Sequence, residues 1–163
     1  MNDEVKVRGY IVAKSAAYLR QLVGEADARR VFEGLSPQLS AAVGQAKPAD
    51  WMPAAYSSEI LRNIAAHAKG NDDKARDELI KCGRYIADEA TNTFLKLLMR
   101  VLTPALFAKK LPSFWSRDST HGKYEVDVTS DKITCRLKGM EVYEHIARVS
   151  EAFRRLRLTG GAE

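Results

Sequence analysis

Cysteines are few in this 163-residue chain, and metal-ligand spacings, phosphate-binding glycine loops and long apolar runs are missing. Each shortage removes a class of function. Cys82 and Cys135 are the only cysteines and form no CxxC, so a disulfide framework is not expected and both read as buried reduced thiols. The three histidines, His67, His121 and His145, share no ligand spacing with each other or with a cysteine, so neither metal nor cofactor is expected. There is no GxGxxG or Walker sequence, and Gly160-Gly161 has no helix after it. The most apolar stretch, Thr93 to Ala108, is cut by Lys96, Arg100 and Pro104, which argues against a transmembrane segment. Met1 to Val12 opens with Asp3 and Glu4 and carries no leader pattern, so a cytoplasmic protein is expected.

What is present is ordinary globular composition, 45% apolar and 29% charged, which suits a single domain over 1–158 with a flexible tail over 159–163. The net charge of +5 favours acidic partners. Its 26 basic and 21 acidic residues are interspersed, however, so no specific nucleic-acid binding is expected. The short helices read at Ser15 to Gly24 and Glu25 to Gly34 would offer a base reader only Arg29 and Arg30.

The hydrophobic period changes once, between Trp115 and His121. Before it, apolar residues recur at helical spacing; after it, Tyr124, Val126, Val128 and then Ile133, Cys135, Leu137 alternate with polar neighbours across a Ser130-Asp131 turn. The expected class is α+β, a mostly helical body packed on a small antiparallel β-hairpin sheet. Val5 to Ile11 alternates like a strand, with Ser15 as N-cap of the first helix. Ser36-Pro37 opens another helix, Lys47 to Pro53 reads as a loop, and Pro53 to Lys69 as a helix. Asp72 or Asp73 caps a long helical region reaching Leu102, a short helix follows Pro104, and a final helix spans about Met140 to Leu158.

Few residues suggest chemistry. Arg117-Asp118-Ser119-Thr120-His121-Gly122 mixes a base, an orienting acid and a hydroxyl, but triads assemble from separate elements around an oxyanion site, so the stretch reads as a solvated turn. No catalytic residue is assigned and the chain is expected not to be an enzyme. Tyr56, Tyr85, Phe94 and Leu98 would line an apolar ligand pocket, if one exists, between the Pro53 to Lys69 helix and the long helix. Phe153 with Arg154, Arg155 and Arg157 forms a candidate interaction face near the end of the last helix.

One set of ordered junction residues carries a resemblance. Gly9, Gly24-Glu25, Trp51-Met52-Pro53 with Tyr56, Gly83-Arg84 and Leu111-Pro112-Ser113-Phe114-Trp115 together resemble the heme-NO-binding-like superfamily, which includes 4-vinyl-reductase-type sensor domains and TRAPP trafficking subunits. Within it the likeness is closest to myxobacterial paralogues of unassigned function. The resemblance implies a helical body on a small antiparallel sheet, with room for a ligand between them. Heme members place a histidine before the hairpin and a Tyr-x-Ser-x-Arg sequence on the propionates. Here Leu106 to Arg117 has no histidine and Tyr124-Glu125-Val126-Asp127-Val128 departs from that sequence, so heme is not carried over.

The expected function is a non-enzymatic regulatory or signalling domain that senses a small apolar ligand in its helical pocket and acts through protein contacts. The alternatives are a scaffold without ligand and, less favoured, a nucleic-acid-binding regulator. A protein partner is expected. A homodimer through a sheet edge or the terminal helix stands against a monomer whose edge is guarded by Lys132, Arg136 and Lys138.

Overall fold

The computed structural model describes residues 4–90, 102–130 and 132–139. The order is β1 (Lys6–Arg8), α1 (Gly9–Val23), α2 (Glu25–Glu33), α3 (Pro37–Gln45), β2 (Trp51–Pro53), α4 (Ala54–Ala66), α5 (Asp72–Ala90), α6 (Pro104–Asp118), β3 (Lys123–Val128) and β4 (Ile133–Lys138). The class is α+β, with a helical body and two separate two-stranded antiparallel sheets among the described residues, β1 with β2 and β3 with β4.

The opening strand is shorter than its alternation suggests, because the chain enters α1 at Gly9 rather than at Ser15. Val12, Ser15, Ala16 and Leu19 are buried, a helical stripe that overrides the period-two pattern upstream. Ser15 is interior and caps nothing. Tertiary contacts cap α1 instead: the Gly9 N–H donates to the Asp50 carbonyl at 2.7 Å and the Tyr10 N–H to the Pro48 carbonyl at 3.3 Å.

The Trp51–Pro53 segment, expected as loop, is strand β2. Bonds from Gly9 N–H to Asp50 O and from Ala54 N–H to Val5 O place Lys6↔Pro53 and Arg8↔Trp51 at the non-hydrogen-bonded positions of the ladder. Proline's missing N–H would point away from β1, so Pro53 costs the ladder nothing.

Other boundaries moved for similarly local reasons. Asn71, not Asp72 or Asp73, caps α5, its Oδ1 accepting the Lys74 N–H at 2.9 Å. Thr103 caps α6 by accepting the Leu106 N–H at 3.3 Å, and α6 runs through Pro112 to Asp118 instead of stopping early. The hairpin register pairs Val126 with Cys135, and Thr129 closes the turn with its N–H on the Lys132 carbonyl at 2.8 Å. Cys135 is half-buried rather than buried, and neither cysteine is in a disulfide.

The core lies where α1, α4 and α5 pack on one another, joined by the start of α3. Leu19, Leu39, Ile60, Leu61, Ile64, Leu79 and Ile86 are almost wholly excluded from solvent. Each such side chain contributes about 1.5–3 kcal/mol relative to exposure. Ser57 and Ser58 are buried in the same region, their hydroxyls without a partner among the described residues. On the other side, Trp115 meets Tyr124 edge-on at 5.4 Å, and Trp115 and Leu137 lean on the helical core, joining α6 and the hairpin to it.

No helix among the described residues is long and apolar enough to cross a membrane. The expected terminal helix and the tail over 159–163 lie outside the described residues.

Candidate functional site

Beside the packing of Trp115 and Leu137 on the core, the helical body and the α6–hairpin lobe meet along a polar seam, Lys6–Tyr10 against Arg117–Thr120. The Lys6 N–H donates to Thr120 Oγ1 at 2.9 Å, the Thr120 N–H returns a bond to the Lys6 carbonyl at 3.0 Å, and Val7 bridges Ser119. Among the described residues β1 is thus the middle of three extended segments and β2 is an outer edge. One helical turn on, the Tyr10 hydroxyl donates to Asp118 Oδ2 at 2.9 Å. Burial and the Asp118 charge together push the Tyr10 hydroxyl well above its ordinary titration range. Arg117 closes the group with bonds of 2.9 and 2.8 Å to the same carboxylate.

Arg8 is the hub of the seam. Its Nε donates to the Arg117 carbonyl at 3.0 Å, at the negative end of the α6 dipole, and its Nη1 donates to the Ala49 carbonyl at 2.6 Å. The guanidinium also lies 4.0 Å from the Trp51 ring centroid, a cation–π contact. The 47–50 loop is held against α1 so closely that a Cβ on Gly9 would collide with the Lys47 carbonyl oxygen. Because loop carbonyls take the Gly9 and Tyr10 N–H groups, those donors are not open to an anion.

Trp51 faces outward. It is 40% exposed while its neighbour Met52 is buried, the alternation of a strand with one face on the core. Lys6 and Arg8 share the outer face with Trp51 and Pro53 by the cross-strand register, whereas Val7 and Met52 point inward.

No family model, curated protein or solved structure matches this chain.

The sequence-selected residues fare unequally. Tyr56 is half-buried against the core cluster, but Tyr85 has Tyr18 of α1 as its ring partner at 5.7 Å, and its hydroxyl accepts from Gln21 at 3.5 Å. Phe94 and Leu98, the other expected pocket residues, lie outside the described residues, as do Phe153, Arg154, Arg155, Arg157 and His145. In the 117–122 stretch the Ser119 hydroxyl donates to the His121 carbonyl at 2.9 Å and accepts the His121 N–H at 3.2 Å. This is a turn closed on its own backbone, with the Trp115 Nε1–H adding a 2.7 Å bond to the same carbonyl. His67 is exposed at the end of α4. Among the described residues, no group of three or more His, Cys, Asp or Glu side chains is placed to hold a metal ion.

A second polar cluster ties α1 to α5. The Tyr18 hydroxyl donates to Glu78 Oε2 at 2.9 Å and Lys81 Nζ to Glu78 Oε1 at 2.6 Å. Burial alone would raise the Glu78 carboxyl, but the bonds from Lys81 and Tyr18 outweigh it and hold the group below its usual range. Next to it, burial pushes the Cys82 thiol up to about 12, countered only in part by the Ser15 hydroxyl. Such a thiol is a core group, not a nucleophile.

Arg8 was not singled out by the sequence reading. Its available signal was the Lys6/Arg8 alternation around Val7, which marks an outward cationic face once the segment is known to be a strand.

Proposed function

We propose that this chain is a non-enzymatic regulatory module that acts through contact with a protein partner, with Trp51 and Arg8 at the contact surface. The observation that supports the reading is an exposed tryptophan held under an arginine. Tryptophan and arginine dominate the energetics of protein interfaces because they combine large apolar area with directional charge. Here the ring is held out of the core by strand alternation, and the stacked Arg8 is fixed by two backbone carbonyls, so both enter an interface with little ordering left to lose.

We also propose membership of the heme-NO-binding-like superfamily, whose resemblance implies a helical body on a small antiparallel sheet. In this reading the module is cytoplasmic, where free thiols stay reduced, and self-associates as a homodimer.

The test is affinity capture from the native source with the wild type and with Trp51→Ser, alongside native mass spectrometry of the purified chain. A protein retained in fixed stoichiometry by the first and lost by the second supports the reading. Capture indifferent to Trp51, with a small apolar molecule retained in the spectrum, would replace it by ligand sensing.

A further inference from the structure

Resting on that interaction reading, we propose that the β1–β2 ribbon receives an extended, acidic segment of the partner along the outer edge of β2, anchored on Trp51 and Arg8. Since Arg8↔Trp51 is a non-hydrogen-bonded pair, the Trp51 N–H and C=O point away from β1, and neither takes a partner among the described residues. An extended chain laid beside them would gain both bonds, the mode by which peptides add to sheet edges. Pro53 lacks an N–H, so pairing centres on Trp51 and does not extend into open-ended strand addition.

Arg8 is bonded to two carbonyls and stacked on a ring, with no carboxylate partner among the described residues and Nη2 unengaged. Among the described residues Lys6, on the same face, has Glu4 at 4.0 Å as its only acidic partner, with both side chains exposed. Two cations thus flank the apolar surface of Trp51 and Pro53, on a chain of net charge +5. A segment alternating carboxylates with apolar side chains matches that face: its acids meet Arg8 and Lys6, and its backbone meets Trp51.

The test uses the full chain and a synthetic capped peptide, Glu-Val-Glu-Val-Glu-Val-Glu, with its lysine counterpart and a backbone N-methylated version as controls. The readout is two-dimensional amide NMR of the Trp51 backbone N–H and indole N–H. We expect saturable binding of the acidic peptide that shifts both Trp51 signals, weakens as salt rises, and weakens at least about tenfold in Arg8→Gln. N-methylation should weaken binding about tenfold on the wild-type protein, which keeps the test sound if Arg8→Gln does not fold. Equal affinity for the lysine peptide, indifference to N-methylation, an unmoved Trp51 amide or no binding at all overturns the proposal. Failure of the peptide while Trp51-dependent capture persists sinks the acidic strand and leaves the interaction reading standing. Capture that ignores Trp51 removes both.

Discussion

Glu59 on α4 accepts two hydrogen bonds from Ser36, the backbone N–H on Oε1 at 2.8 Å and the hydroxyl on Oε2 at 3.0 Å. Ser36 precedes Pro37 at the start of α3 and makes no side-chain cap of its own helix, so the capping carboxylate comes from another element. Glu59→Ala strands both donors, and we expect a loss of about 1–2 kcal/mol in urea unfolding. Glu59→Gln, which keeps one acceptor, should lose less. An unchanged midpoint in the alanine variant would show that the link contributes nothing.

Gly9→Ala should be more damaging than its chemistry suggests. The new methyl meets the backbone oxygen of Lys47, which cannot move without breaking the 47–50 loop, and overpacking of this kind costs ~1–3 kcal/mol. Gly44→Ala is the control, since a methyl there meets nothing and helix propensity gains up to ~1 kcal/mol. Thermal melts of the two variants should shift in opposite directions.

Stability should fall in mild alkali. Cys82 titrates at about 12 in the folded chain against an ordinary 9.0, and Tyr10 and Tyr18 are shifted upward too. The unfolded state therefore loses these protons first, so stabilisation present below pH 9 is lost progressively as pH rises from there toward 12. Cys82→Ala should flatten the first part of that decline in urea titrations run at successive pH values. In the Cys135→Ser background, a thiol reagent at neutral pH should leave Cys82 unlabelled until the protein unfolds, and fast labelling would contradict its burial.

Tyr10→Phe removes a side-chain bond that crosses from α1 to the Asp118 carboxylate. We expect a loss of about 1 kcal/mol, with faster amide exchange at Thr120 as the seam loosens. The variant Asp118→Asn should lose more, because Arg117 is then left without its carboxylate.

Hemin or zinc added to the purified chain should bind only weakly and without fixed stoichiometry. A sharp Soret band at one equivalent, abolished by replacing a single histidine, would overturn this expectation.

Much of the fold was legible because each element announces itself in a short window. The strict alternation of Tyr124 to Val128 and Ile133 to Leu137 specified the hairpin, and the structure sets these apolar positions opposite one another, Tyr124 with Leu137, Val126 with Cys135 and Val128 with Ile133. Ser36-Pro37 and Gly24 marked true helix boundaries for equally local reasons, Gly24 adopting φ +81°. The stretch from Val5 to Ile11 misled beyond Arg8, because four alternating positions fit both a strand and a helix entrance, and the deciding contacts come from Pro48 and Asp50. Of the expected pocket residues, Tyr56 and Tyr85 are half-buried, and nothing local in the sequence pairs Tyr85 with Tyr18, which lies on another helix.

By itself the sequence determined the class and the chemical inventory: a helical body followed by a hairpin, two cysteines outside any disulfide framework, and scattered charge. Those properties follow from side-chain periodicity and composition, which act over one or two turns of chain. Only the tertiary structure decided that Trp51 belongs to a strand, that its backbone faces outward, and that Arg8 links β2, the 47–50 loop and the end of α6. Such facts depend on which distant carbonyls are within reach of a given donor, and that geometry exists only once the helices have packed.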